Sequence, residues 1–249
     1  MVKHDCIGST SSIVAVTTSV NYQDYLSYSL PAALRVIPSV VVVTTPEDTR
    51  TQQLTTAAGG LCFVTPAFHR DGAPFAKGKA LNEALKAIRL KRPSTWILLF
   101  DGDILLPETA APVLEALPNN PNTMYGAVRW EPRTTTLKDC LIDIRKGVPA
   151  DELKTKWWDR KRTRYHDSVV GFFQLFRLDS PILDPDTPHP ADHDRANKDD
   201  GTLRRRFRTP PANTVKGVLS VIHLPHGKET TNWSGRINPP LPDVATKGN

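Results

Sequence analysis

The sequence predicts an α/β fold, a mostly parallel central sheet flanked by helices, and three observations carry that prediction. Near-continuous β-branched runs occur at 13–20 (IVAVTTSV) and 40–45 (VVVVTT), as expected of strands buried on both faces. Helical patterns alternate with such runs, the signature of strand–helix–strand units. The 22 prolines among 249 residues, about 9% against a usual ~5%, supply many sharp stops and argue against a helical bundle.

Residues 22–35 read as a helix broken near Pro31. The second strand is closed by Pro46-Glu47-Asp48, and 48–58 is helical up to Gly59-Gly60, a glycine helix end. A third short strand at 61–65 leads into a loop at 69–75. The clearest helix is 77–91, where Ala80, Ala84 and Ile88 form one stripe with Leu81 and Leu85 beside it, and Pro93 stops it. A fourth strand, 96–100 (WILLF), a helix at 108–117 and a fifth strand at 123–130 complete the regular part. Beyond Arg133 the pattern loosens. Residues 169–178 read as a strand against the core, 184–200 as an acidic, proline-rich stretch, 218–224 as a last buried strand and 238–249 as a disordered tail.

Hydrophobic residues make up 39% of the chain and charged residues 23%, which excludes a mostly disordered protein. The net charge, 32 − 26 = +6, favours an anionic partner without choosing among phosphates, nucleic acid and acidic surfaces. Cys6, Cys62 and Cys140 are too few and too far apart for a disulfide framework or a zinc cluster. The polar first ten residues lack the apolar core of a signal peptide, and no run approaches the ~18–20 apolar residues of a membrane span. A cytoplasmic, non-secreted protein is the expectation.

In a parallel sheet, ligands sit beyond the carboxyl ends of the strands. That rule directs attention to Glu47-Asp48 and to Asp101-Gly102-Asp103, each directly after a strand. The glycine lets the backbone turn, so both aspartates can approach one hard cation shared with a diphosphate, such as Mg²⁺ or Mn²⁺. A plain turn with two solvated carboxylates is the competing reading.

The DGD and its surroundings resemble the GT-A glycosyltransferases, most closely the family 2 and galactosyltransferase-like enzymes. There an apolar strand runs into a DxD motif that holds the metal of a sugar-nucleotide donor. Lys77-Gly78-Lys79-Ala80-Leu81-Asn82-Glu83-Ala84-Leu85 is similar to the family's KGxAxNxG helix start, with the last glycine replaced. The first strand and Asn21-Tyr22 look like the nucleotide-contacting first loop. The resemblance implies one GT-A (Rossmann-like) domain over 1–237, with a donor half of about 1–130 and an acceptor half of about 131–237. It implies Mn²⁺ or Mg²⁺ and a UDP-linked sugar, with Thr17, Asn21, Glu47, Lys79, Asn82, Asp101 and Lys228 on the donor. Asp101, Asp103 and His223 would hold the metal, with His226 as the competing ligand. Pro190-Ala191-Asp192-His193-Asp194-Arg195, 192 − 103 = 89 residues after the DGD, resembles the acidic motif that supplies the acceptor base in inverting members. Asp192 and Asp194 are both candidates for it, and inversion is the expected outcome. Gly171 and Phe172 resemble the floor of the acceptor site. The QxxRW signature of processive synthases is absent.

The acceptor reading rests on charge. Segment 154–164 (KTKWWDRKRTR) interleaves six basic residues with Trp157 and Trp158, and 204–208 adds four arginines. Cations track a nucleic-acid backbone and aromatic rings stack on unpaired bases, although a charge run is also an ordinary solvated face. The expected acceptor is a hydroxymethylated pyrimidine in DNA, as some viral enzymes use, which would place the protein in a host cytoplasm. The base would be presented outside the duplex. A saccharide acceptor in surface-glycan synthesis is the alternative. A sugar nucleotidyltransferase lacks its glycine-rich first loop here, a dehalogenase-type phosphatase wants Thr or Val where Leu105 stands, and a pure nucleic-acid-binding module leaves the DGD without a purpose.

Overall fold

The computed structural model describes residues 6–132, 137–146, 148–149, 152–153, 156, 158–159, 169, 171–194, 196, 199–208 and 213–224. The expected tail at 238–249 lies outside them. Strands β1 (Ile13–Thr18), β2 (Val40–Thr44), β3 (Leu61–Val64) and β4 (Trp96–Phe100) pair in parallel, with α1 (Gln23–Val36), α2 (Thr49–Ala57) and α3 (Lys77–Lys91) in the crossovers. After β5 (Ile104–Leu105) and α4 (Ala110–Glu115) come β6 (Thr123–Tyr125), β7 (Val128–Pro132), α5 (Leu137–Arg145) and β8 (Trp158–Asp159). They are followed by β9 (Phe173–Arg177), α6 (Asp199–Arg206), β10 (Asn213–Val215) and β11 (Ser220–His223). Among the described residues the main sheet runs β10-β6-β9-β4-β1-β2-β3, and a smaller one runs β5-β11-β7-β8.

The unbroken apolar runs are explained by cover on both faces. Ile13, Ala15, Val40, Val42, Trp96 and Leu98 pack with Leu26, Leu30 and Ala33 of α1. The alternate residues Val14, Val16, Val41, Val43, Ile97 and Leu99 pack with Leu81 and Leu85 of α3 and with Leu203 of α6. A third cluster joins Tyr22, Tyr25 and Tyr28 to Leu105, Leu141, Ile222 and Leu224, seating the small sheet on α1.

Two expectations change, and a third gains its direction. The helix does not break at Pro31, which sits inside α1: burial of Leu26, Leu30 and Ala33 outweighs the lost backbone bond. The expected strand at 123–130 is two strands in different sheets, β6 beside β9 and β7 beside β11. The strand expected at 169–178 is β9, and it runs antiparallel between β4 and β6. This reversal matters, because Phe173 pairs with Phe100 and so the start of β9 lies at the carboxyl end of β4.

Gly78, in the first turn of α3, touches the 190–191 backbone so closely that a Cβ there would collide with the Pro190 carbonyl oxygen and lie 2.9 Å from Asp199 Oδ2. Gly78→Ala is expected to destabilise the fold by roughly 1–3 kcal/mol, because the obstacle is backbone. A urea midpoint unchanged from wild type would show that the 190–194 loop can retreat.

Candidate active site

The site is built at one edge of the main sheet. The carboxyl ends of β1, β2 and β4, the start of α3 and the start of β9 all reach it, which is the consequence of parallel crossovers plus one reversed strand.

Asp103 stands at its centre and is buried. Tyr22 Oη donates to Asp103 Oδ2 at 3.1 Å, and Nε2 of His223 lies 3.6 Å from Asp103 Oδ1. The register explains the second approach, since β11 runs antiparallel to β5 with His223 opposite Ile104, and Leu224 N donates to the Asp103 carbonyl at 2.8 Å. Ser29 of α1 donates to the Gly102 carbonyl at 2.6 Å and so fixes the turn.

Asp101, expected beside Asp103 on a metal, is paired with Lys77 Nζ at 3.3 Å. Lys77 also reaches Asp200 Oδ1 at 3.5 Å, and Nε2 of the wholly buried His189 lies 3.7 Å from the same oxygen. Among the described residues no three His, Cys, Asp or Glu side chains are grouped closely enough to hold a metal by themselves. The oxygen of Asp103 and the nitrogen of His223 nevertheless face each other, a donor pair that suits a Mn²⁺ or Mg²⁺ whose remaining ligands come from a diphosphate and water.

The electrostatics follow from this packing. Burial would raise the Asp200 pKa, but Lys77 and His189 outweigh it and hold the group at about 2 against an ordinary 3.8. Burial, with the charges of Asp103 and Asp200, pushes Asp101 up despite Lys77. Burial would lower Lys77, yet Asp200 and Asp101 raise it, so it is held as a cation. The depressed Asp200 stabilises the fold fully above its ordinary pKa, and that contribution is lost as pH falls through the ordinary value toward about 2. Asp101 acts in the opposite sense, so the informative quantity is a difference. Wild type is expected to lose its stability margin over Asp200→Asn between pH 5 and 2, read from urea midpoints; a constant margin would contradict the pairing.

Thr17 is buried at the end of β1, and its Oγ1 has no hydrogen-bond partner among the described residues. Asn21 takes a left-handed backbone, φ 54°, and its N–H donates to Asp48 Oδ2 at 2.6 Å. Asp48 also caps α2 by accepting from Thr51 N at 3.1 Å, so this buried carboxylate shapes the first loop while Glu47 is exposed. Lys79 pairs with Asp71 at 3.2 Å, while Lys77 is the lysine of this helix start that meets Asp101. Asn82 is a clamp: its amide exchanges two hydrogen bonds with the His189 backbone, at 2.8 and 2.9 Å. Lys228, His226 and Trp157 lie outside the described residues, as does most of 154–164; Trp158 is on β8.

Of the residues expected on the acceptor side, Gly171 lies against Asp200 and Phe172 beside Asp101. A Cβ on Gly171 would collide with the Asp200 carboxylate, and the Phe172 carbonyl accepts from Asp101 N at 3.3 Å. The Arg129 guanidinium stacks over the Phe172 ring at 5.2 Å. Asp192 and Asp194 are both exposed on the loop, and the Asp194 carbonyl accepts from Phe75 N at 3.0 Å. The carboxylates that the fold brings inward are Asp199 and Asp200, which the sequence pattern does not single out as site residues. An acidic pair directly before a helical run (TLRRRF) is the available signal. The arginine cluster is partly engaged at home: Arg204 donates to the Val169 carbonyl at 3.1 Å, and Arg206 donates to Thr187 and Pro188 carbonyls.

No family model matches the chain, and no curated protein matches it in sequence. Solved structures do match in fold. A glucosyl-3-phosphoglycerate synthase from Mycobacterium tuberculosis, in complex with Mn²⁺, UDP and phosphoglyceric acid, superposes with a TM-score of 0.50 at 12% identity, covering 90% of this chain and 76% of that one. The same enzyme with Mn²⁺, UDP-glucose and phosphoglyceric acid gives 0.51 at 14% identity, over 87% and 75%. A further mycobacterial protein gives 0.51 at 11% identity, over 89% and 71%. The chain therefore has the GT-A-like α/β fold. Among the described residues no helix is long and apolar enough to cross a membrane.

Proposed function

We propose that the protein is a metal-dependent glycosyltransferase that moves a sugar from a UDP-linked donor to an acceptor hydroxyl. One observation carries the reading: Asp103 after β4, Tyr22 after β1 and His223 on β11, far apart in sequence, meet at the sheet edge where this fold takes nucleotides. The fold shared with enzymes solved with Mn²⁺ or Mg²⁺ and UDP supports it.

Asp103 and His223 would hold the cation, which when bound neutralises charge on the departing diphosphate. Thr17 and Asn21 line the nucleotide side, the buried hydroxyl of Thr17 supplying a hydrogen bond to the donor. Lys77, carried as a cation between Asp101 and Asp200, is a basic group beside the DGD that would face the leaving group, with Lys228 as a second candidate. Gly171, Phe172 and the 190–194 loop form the acceptor side. A carboxylate base there, Asp192 or Asp194, would yield inversion.

For the acceptor, a hydroxymethylated pyrimidine in DNA rests on segment 154–164 and on the exposed Arg205 and Arg208. With Arg204 and Arg206 turned to backbone carbonyls, a smaller acceptor, a saccharide or a phosphorylated acid, is the second reading. Radiolabelled UDP-glucose, UDP-galactose and UDP-N-acetylglucosamine with Mn²⁺, offered against hydroxymethylated DNA, unmodified DNA, an oligosaccharide and phosphoglyceric acid, test it. Label in hydroxymethylated DNA alone supports the first acceptor and label elsewhere replaces it. No UDP release with any donor, together with no Mn²⁺-dependent UDP binding, refutes glycosyl transfer.

A further inference from the structure

The loop between β9 and α6 is fastened at both ends of its last part. Asn82 grips the His189 backbone, Pro190 and Ala191 lie against Gly78, and Phe75 N holds the Asp194 carbonyl. Between these points His193 is held in place, and its Nδ1 lies 2.6 Å from Asp199 Oδ1. Asp199 is wholly buried, while the His193 side chain is 29% exposed. No hydrogen bond engages His193 Nε2 among the described residues.

A carboxylate that accepts from Nδ1–H fixes the tautomer in which Nε2 carries the lone pair. Burial strengthens this device, because Asp199 has no water to turn to and its second oxygen, Oδ2, makes no hydrogen bond among the described residues. The next residue, Asp200, is joined through Lys77 to Asp101 of the DGD. The dyad thus stands one residue from the charged link that leads to the donor side.

We infer that His193, oriented by Asp199, is the base that takes the proton of the acceptor hydroxyl. The inference rests on the glycosyl-transfer reading and replaces the exposed Asp192 and Asp194 in that role. In the step, the hydroxyl proton passes to His193 Nε2 as the oxygen forms its bond to the anomeric carbon. The bond from that carbon to the diphosphate oxygen breaks, and its electron pair leaves with UDP. The imidazolium then returns its proton to solvent. Asp199 is a positioning residue, since it acts only through the imidazole.

The test uses water as acceptor and the full-length chain. Mn²⁺-dependent UDP release from UDP-glucose, UDP-galactose or UDP-N-acetylglucosamine gives kcat and KM, and calorimetry with UDP and Mn²⁺ gives donor-site affinity. His193→Ala is expected to lower kcat about 100-fold or more, the ordinary contribution of a general base. KM and UDP affinity should stay within about threefold, and added imidazole should restore part of the rate, which a merely structural histidine would not allow. Asp199→Asn is expected to lower kcat at least about tenfold through the wrong tautomer. Should His193→Ala fail to fold, His193→Gln, which keeps a side-chain N–H for Asp199, is read for the same fall in kcat at constant UDP affinity. An unchanged kcat, or a loss in the alanine variant that imidazole does not restore, overturns the dyad while leaving glycosyl transfer standing. A wild-type protein that neither binds UDP with Mn²⁺ nor releases it overturns both.

Discussion

Asp103→Asn is expected to abolish Mn²⁺-dependent UDP binding and to lower UDP-sugar turnover by roughly 10³-fold, with the thermal midpoint close to wild type. The substitution keeps the shape of the side chain and an acceptor oxygen for the Tyr22 hydroxyl, and the backbone bond from Leu224 to the residue 103 carbonyl does not involve the side chain. What it removes is the negative charge that faces His223 across 3.6 Å. Stabilising charge on a leaving diphosphate through a bound cation supplies several kcal/mol, and each ~1.4 kcal/mol is tenfold in rate. Turnover within tenfold of wild type, with Mn²⁺ dependence retained, would remove Asp103 from the metal site.

Lys77→Met should destabilise the protein more than Gly78→Ala does, by about 2–4 kcal/mol, because it strips the cation from a partly buried cluster whose carboxylates keep some contact with water. Lys77 is mostly buried and is held between Asp101 at 3.3 Å and Asp200 at 3.5 Å. Asp200 would then face Asp101 without its ammonium partner, with His189 still beside it. The stability lost should be partly regained at acidic pH, where the stranded carboxylates take up protons. Chemical denaturation of wild type and variant at pH 7 and pH 4 checks both statements. A loss below about 1 kcal/mol would mean that the cluster is wetter than its packing implies.

Much of the fold was legible because it depends on local pattern. Ile13–Thr18, Val40–Thr44 and Trp96–Phe100 are apolar on both sides of the strand, and only a sheet with two covered faces has a use for that. The DGD and His223 were legible as candidates because residue type and position after or on a strand limit the chemistry. The choice between neighbours was harder. Lys77 and Lys79 lie about 200° apart around a helix, so only one can face the DGD, and nothing local decides which. Asp192 and Asp199 are similarly distinguished by burial alone, and burial depends on how Gly78 and Gly171 admit the loop and α6.

What the amino-acid sequence determined by itself is the layered α/β plan and the end of the sheet at which the candidate site residues gather. Periodicity and strand ends are encoded within a few residues, so they survive without knowledge of distant contacts. Only the tertiary structure decided that β9 turns antiparallel beside β4, that Asp101 goes to Lys77 while Asp103 meets His223, and that His193 is paired with Asp199. Each of these joins segments whose approach is set by close packing of the whole core, and the free energy of a charge depends on which partner that packing places within a few ångströms.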